Sequence, residues 1–153
     1  MESHERDLAG LRHAIEEAKV GRSEGGVPIG GALIADDGTV LAVGHNRRVQ
    51  DNSAIRHGET DALENAGRLP ASVYRRSTMY TTLSPCDMCT GAILLYGISR
   101  VVMGENRTFV GGEDYLRRRG VEVINLDSHE CVDLMNEFIG AHQEIWNEDI
   151  GEE

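Results

Sequence analysis

Two short segments carry residues of the types that bind transition metals. The first begins at His57, and the second contains Cys86 and Cys89 in a CxxC pattern. Both lie where we predict that a helix begins. Residues three apart share a helix face, so the two sulfurs can hold one ion. A helix N-terminus also favours the thiolate that a metal requires. With the imidazole of His57, the two thiolates form a ligand set that suits zinc.

The number of ligands favours a catalytic site. Structural zinc sites close with four protein ligands, whereas catalytic sites keep one position for water and bring its pKa to near 7. The third cysteine, Cys131, falls within a predicted helix far along the chain, and we interpret it as a small buried apolar residue. Glu59 is the candidate proton carrier. Because residues two apart do not share a helix face, this role requires that His57 and Glu59 lie at a helix start.

The composition is that of a globular protein with a strong acidic excess. The 153 residues include 15 Lys and Arg and 26 Asp and Glu, which gives a net charge of −11. This charge argues against phosphate-mediated binding of nucleic acid and against binding to an anionic membrane surface. We find neither an apolar run that could span a bilayer nor a secretory signal. Three cysteines do not indicate a disulfide framework. We therefore expect a cytoplasmic protein.

The hydrophobic pattern predicts one domain, residues 1–153, of the α/β class. A hairpin with the turn Asp36-Asp37-Gly38 is followed by alternating strands and helices, which indicates a mixed sheet with helices on both faces. The predicted strands are 29–35, 40–44, 78–82, 100–104 and 121–126. The predicted helices are 5–20, 58–67, 85–96, 113–119 and 128–140. We interpret residues 47–55 as a polar loop and residues 141–153 as an acidic tail that carries Trp146.

The two metal-binding segments also match a known signature. His57-Gly58-Glu59, followed by the run from Pro85 to Cys89, has the H-x-E and P-C-x-x-C form of zinc-dependent deaminases. The chain resembles the cytidine deaminase superfamily, and within it the yeast-type zinc cytosine deaminases. The residues that carry the likeness lie in the segments 25–31, 44–46, 57–59, 63–65, 80–93, 104–106 and 148–152.

The resemblance implies a three-layer α/β/α sandwich around a mixed five-stranded sheet, and a homodimer. It implies one Zn²⁺ per chain, held by His57, Cys86 and Cys89, with Glu59 as the catalytic proton carrier. It also implies a set of substrate-binding residues: Asn46, the backbone of Gly58, the carbonyl of Ser84, and Asp149, with Phe109 and Trp146 closing the pocket. The implied activity is the deamination of cytosine to uracil and ammonia in pyrimidine salvage.

Other readings stay open at this point. The chain departs from the yeast-type pattern at Thr60-Asp61-Ala62, at Ala66, in slightly shorter loops at 36–37 and 110–112, and in the segment 140–145. An enlarged pocket would admit guanine, isocytosine or a triazine to the same chemistry. An enzyme that edits tRNA and a structural zinc or redox module that uses Cys86 and Cys89 are further alternatives.

Overall fold

The computed structural model describes residues 3–153, and Met1 and Glu2 lie outside the described residues. The elements are, in chain order, α1 (Ser3–Ser23), β1 (Gly30–Ala35), β2 (Val40–His45), α2 (Arg48–Asp51), α3 (Gly58–Ala66), α4 (Ala71–Arg75), β3 (Ser77–Thr81), α5 (Asp87–Tyr96), β4 (Arg100–Met103), α6 (Glu113–Arg118), β5 (Glu122–Asn125), α7 (His129–Ala141) and α8 (Gln143–Asp149). No helix among residues 3–153 combines the length and apolar character needed to cross a bilayer.

The five strands form one mixed sheet in the order β2-β1-β3-β4-β5. Strand β1 is antiparallel to β2 and β3, whereas β3, β4 and β5 are parallel. The turn between β1 and β2 contains Gly38 with a φ of 90°, a conformation that glycine adopts without steric cost. The predicted mixed five-stranded sheet and its hairpin are therefore confirmed.

Helices cover both faces of this sheet because its strands alternate apolar side chains from face to face. On β3, Met79 packs on one face with residues of α4, α5 and α6. The next residue, Tyr80, packs on the other face with residues of α1 and α7. The predicted three-layer α/β/α arrangement is confirmed. Its carboxyl edge, where β2, β3, β4 and β5 end and β1 begins, faces the metal-binding segments.

The C-terminal segment is not the acidic tail that the sequence predicts for residues 141–153. It contains helix α8, which buries Trp146 against Phe138 and Leu83 in a third apolar cluster. Ile145 and Ile150 also pack against this cluster. Their apolar pattern is not clear in the sequence because charged residues lie between them. The short helix α2 likewise lies within the predicted polar loop, and α4 was not predicted at all.

Glycines allow helices α1 and α3 to contact the sheet through backbone atoms. A Cβ atom placed on Gly30 would lie 1.9 Å from the carbonyl oxygen of Ala14 in α1. A Cβ atom on Gly31 would lie 2.7 Å from the carbonyl oxygen of Gly58 in α3. Because His57 directly precedes α3, these contacts fix its position relative to β1.

We expect Gly30→Ala to lower the free energy of unfolding by at least about 3 kcal/mol, because the added methyl group overlaps backbone atoms that cannot move independently. Gly91→Ala is the matched control. Gly91 lies in α5 with no atom within 4 Å of an added Cβ, so the substitution should stabilise the protein by about 0.5–1 kcal/mol. Urea unfolding measures both, and equal effects would contradict the backbone contact.

Candidate metal and active site

His57 and Cys86 occupy equivalent places immediately before helices α3 and α5. Both have extended backbone with a ψ of 176°. The backbone N–H of His57 donates to Oγ1 of Thr60 at 2.8 Å, and that hydroxyl donates to the carbonyl oxygen of Ile55. His57 therefore lies outside the regular helix, as its predicted pairing with Glu59 requires, and both side chains line one cavity.

The side chains of His57, Cys86 and Cys89 converge with their donor atoms facing one another. Nδ1 of His57 lies 3.4 Å from Sγ of Cys86 and 3.8 Å from Sγ of Cys89. A tetrahedral zinc ion holds its nitrogen and sulfur ligands about 3.6 Å apart, given ordinary Zn–N and Zn–S bond lengths. The donor set therefore fits zinc. Within residues 3–153, this group of potential metal ligands has three members, the number typical of a catalytic site.

Protonation of the three ligands is tightly coupled. Hydrogen bonding from Cys89 lowers the pKa of Cys86 to about 4, and His57 contributes in the same direction against the effect of burial. The hydrogen bond with Cys86 and burial raise the pKa of Cys89. Burial lowers the pKa of His57, but the hydrogen bond with Cys86 and the charge of Asp149 outweigh it and raise the pKa to about 9. A metal ion displaces such protons when it binds.

Backbone groups and a carboxylate orient these ligands. The backbone N–H of Cys89 lowers the pKa of the Cys86 thiol, and the backbone N–H of Thr60 acts in the same direction on the thiol of Cys89. Nε2 of His57 lies 3.6 Å from Oδ1 of Asp149. Because Asp149 faces Nε2, the imidazole directs Nδ1 toward the two sulfurs, an arrangement typical of metal-binding histidines.

Glu59 is a buried carboxyl group at the edge of this cluster. Burial raises its pKa to about 7, with a further contribution from the charge of Cys86, while the charge of His57 opposes the shift. A carboxyl group with a pKa near neutrality both accepts and donates protons readily at that pH. Glu59 therefore has the properties of a general acid and base.

The metal cluster forms one wall of a small cavity. The cavity is lined by Ile29, His57, Glu59, Leu83, Ser84, Cys86, Phe109, Trp146, Asp149 and Ile150. Its volume is about 20 Å³, which is room for about one water molecule. The rings of Phe109 and Trp146 meet edge to face with centroids 6.0 Å apart. A surface cleft of about 430 Å³ adjoins the cavity at Phe109 and Ile150.

Comparison with known proteins agrees with this geometry. Residues 4–105 match the family described as the cytidine and deoxycytidylate deaminase zinc-binding region. The chain belongs to this family. It is 60% identical over 146 residues to a cytosine deaminase of Candida albicans. The aligned region covers 95% of this chain and 97% of that protein. The resemblance noted in the sequence, the enzyme class and the zinc cofactor are therefore confirmed.

More distant relatives act on other substrates. A tRNA-specific adenosine deaminase of Haemophilus influenzae is 31% identical over 145 residues, which covers 88% of this chain and 83% of that protein. The solved structure of a guanine deaminase from Nitrosomonas europaea has a TM-score of 0.70 at 23% identity over 86% of this chain and 84% of that one. This second likeness concerns the fold alone.

The predicted substrate-binding residues of this deaminase lie together, but they do not all line the cavity. Ser84, Phe109, Trp146 and Asp149 are cavity residues. Asn46 is not among the lining residues; its Nδ2 donates to Oδ1 of Asp149 at 2.7 Å. The backbone of Gly58 likewise packs beneath the site against Gly30.

Sequence reasoning missed the carboxylates that hold the loops of the site. Oγ of Ser84 donates to Oε2 of Glu113 at 2.6 Å. The buried carboxylate of Glu105 accepts the N–H groups of Arg107 and Thr108, and so orders the loop that carries Phe109. No spacing rule connects these acids to the metal motif, because they act across the sheet edge. Arg48, which contacts Asp149, was missed for the same reason.

We expect Cys89→Ala to reduce bound zinc from about one ion per chain to a small fraction, because the site loses one of its three protein donors. Cys131→Ala is the control. Cys131 lies in α7 and is buried in the apolar cluster that α7 forms with α1 and the sheet, and burial raises the pKa of its thiol to about 11. Elemental analysis of the purified variants measures the zinc content, and an equal loss in both would contradict the assigned ligands.

Proposed function

We propose that this chain catalyses the hydrolytic deamination of free cytosine to uracil and ammonia, as a step of pyrimidine salvage. The observation that carries the proposal is the cavity itself. It places Glu59 and the metal ligands His57 and Cys86 on one side and closes the other side with Phe109 and Trp146. The cytosine deaminase of Candida albicans, 60% identical over nearly the whole chain, supports the same substrate.

The chemistry divides between the metal and Glu59. Zinc held by His57, Cys86 and Cys89 would supply Lewis-acid activation of water near neutral pH. The carboxylate of Glu59 accepts a proton in the cavity and donates it to the ring nitrogen beside C4. The carboxylate then accepts the second proton of the same water molecule and donates it to the amino group, which leaves as ammonia while the oxygen stays on C4. The burial of Glu59 supports this role, because it brings the pKa of the carboxyl group to about 7.

The remaining polar groups would orient the base. In this proposal, the carboxylate of Asp149 accepts a hydrogen bond from the exocyclic amine, and the amide of Asn46 and the carbonyl oxygen of Ser84 bind the polar edge of the ring. The backbone of Gly58 completes that edge. Because Asn46 already donates to Asp149, the two side chains are oriented before substrate binds, which reduces the entropy lost on binding.

Phe109, Trp146 and Ile150 would pack over the base and exclude bulk water. A nucleobase is larger than the cavity volume of about 20 Å³. Substrate access therefore requires that the end of α8 and the Phe109 loop separate toward the adjoining cleft. Because a larger ligand requires a larger separation of these segments, the enclosure favours a single-ring base over guanine and over a nucleoside with its attached ribose.

We also propose the partners, the oligomeric state and the cellular location of the enzyme. Residues 1–153 act as one catalytic domain without nucleic acid, since the net charge of −11 opposes phosphate binding. The protein forms a homodimer, and the exposed Leu95 and Tyr96, at 75% and 43% exposure, offer an apolar surface for a second copy. A cytoplasmic location suits the site because a reducing compartment keeps Cys86 and Cys89 as thiols.

We expect Glu59→Gln to reduce kcat for cytosine about a thousandfold, because the amide cannot carry protons. The variant should retain its zinc. Glu64→Gln, on the exposed side of the same helix, should keep the wild-type rate. Ammonia release from zinc-loaded protein gives the rates. Unchanged turnover in Glu59→Gln would contradict the proton-carrying role and favour a non-catalytic use of the zinc site.

We expect kcat/KM for cytosine to exceed that for cytidine and for guanine by at least about a hundredfold, because ribose or a second ring would force the end of α8 and the Phe109 loop farther apart than cytosine does. Ammonia release across a panel of cytosine, isocytosine, cytidine, guanine and a triazine measures this preference. Faster turnover of guanine, isocytosine or the triazine than of cytosine would contradict the proposed substrate while keeping the chemistry. Salt-sensitive binding of tRNA would contradict the absence of a nucleic-acid partner.

A further inference from the structure

Arg48, at the start of α2, joins three segments around the site, and its side chain is 16% exposed. Nη1 donates to the carbonyl oxygen of Ala54 at 2.7 Å, in the loop that leads to His57. Nη2 donates to the backbone carbonyl oxygen of Glu148 at 3.5 Å, and Nε lies 3.5 Å from Oδ1 of Asp149. One guanidinium group therefore connects this loop to the C-terminal end of α8.

The backbone of Arg48 belongs to the same network. Its N–H donates to Oδ1 of Asn46 at 3.0 Å. This bond directs the amide nitrogen of Asn46 toward Asp149, to which it donates at 2.7 Å. Asn46, Arg48 and Asp149 thus form a closed set in which each residue contacts the other two.

The contact with Asp149 matters more than the contact with the Glu148 side chain. Nη2 of Arg48 lies 3.2 Å from Oε1 of Glu148, whose side chain is 69% exposed, and exposed ion pairs contribute little. Asp149 is buried, and a buried carboxylate that loses a cationic partner is strongly disfavoured. The apolar packing of Trp146 holds the middle of α8 without directional preference. The orientation of the Asp149 carboxylate therefore depends on its polar partners, which are Arg48, Asn46 and Nε2 of His57.

We propose that Arg48 is a positioning residue that holds the Asp149 carboxylate, and with it the end of α8, in the arrangement that binds substrate. This inference rests on the proposed function. Arg48 does not line the cavity; it acts through Asp149 and through the loop that precedes His57.

The kinetic test compares Arg48→Gln with Arg12→Gln. Arg12 makes an ion pair between α1 and α7 at the exposed surface, so its loss removes the same charge and a similar contact far from the site. Arg48→Gln should raise KM for cytosine about tenfold, which is about 1.4 kcal/mol. The reason is that a smaller fraction of the protein molecules holds Asp149 in the orientation that binds substrate. Its kcat should change less than about threefold. Arg12→Gln should keep both values. Equal changes in the two variants would overturn the proposal.

A double-mutant cycle tests whether Arg48 acts through Asp149. The cycle uses Glu59→Gln protein, in which cytosine is turned over slowly enough for its Kd to be measured by calorimetry. Arg48→Gln and Asp149→Asn should each weaken binding, and the double variant should bind no more weakly than Asp149→Asn alone. Additive losses would overturn the proposal. Arg48→Lys keeps the charge but lacks the planar guanidinium group, so its Kd for cytosine should lie between those of the wild type and Arg48→Gln. A Kd as weak as that of Arg48→Gln would also support the assignment, because it would show that the planar group is required.

Hydrogen exchange gives a readout that does not depend on activity. Amide protons in residues 147–153 should exchange about tenfold faster in Arg48→Gln than in the wild type, with no change in the strands of the sheet and none in Arg12→Gln. Unchanged exchange in Arg48→Gln would overturn the proposal. If wild-type protein fails to deaminate cytosine, the proposed function fails, whereas the exchange data still decide whether Arg48 holds the end of α8.

Discussion

The contact between the first turn of α3 and strand β1 determines where the metal ligands meet. Gly31 and Gly58 bring two backbones together with no side chain between them, so His57 lies at the edge of the sheet where β3 ends. The loop that follows β3 carries Cys86 to the same edge, because sites in open α/β sheets form outside the carboxyl ends of the strands. A displacement of about 1 Å is enough to impair catalysis severely, which explains why the positions of these segments depend on backbone atoms and not on flexible side chains.

Buried carboxylates fix the positions of the loops around the cavity. Asp61 accepts hydrogen bonds from Nε of Arg47 and Nε of Arg56, and so holds the loop that precedes His57. Glu105 and Glu113 hold the segments that carry Phe109 and Ser84. Such networks are costly when they are incomplete and rigid when every group is paired. Part of the acidic excess of the chain is therefore internal structure and not a solvated surface.

The metal site was predictable from sequence because its ligands lie in two short motifs at helix starts, where spacing alone limits the geometry. The sheet was predictable for a similar reason, since its strands alternate or form short apolar runs. Helix α8 was not predictable, because charged residues surround Trp146 in the sequence. The burial of Trp146 depends on residues as distant along the chain as Leu83. Thr60 and Asp61, which depart from the yeast-type pattern, have clear local roles in fixing His57. Asn46 and Gly58 were placed by resemblance at the substrate, yet they adjoin the cavity without lining it.

The most direct test of this account is a crystal structure of the zinc-loaded protein, with the metal located by its anomalous scattering. The account predicts one zinc ion bound by Nδ1 of His57 and the sulfurs of Cys86 and Cys89, with a fourth, non-protein ligand that faces Glu59. A fourth ligand supplied by the protein would contradict it, because a closed zinc site cannot activate water. A metal ion bound elsewhere in the chain would contradict it as well.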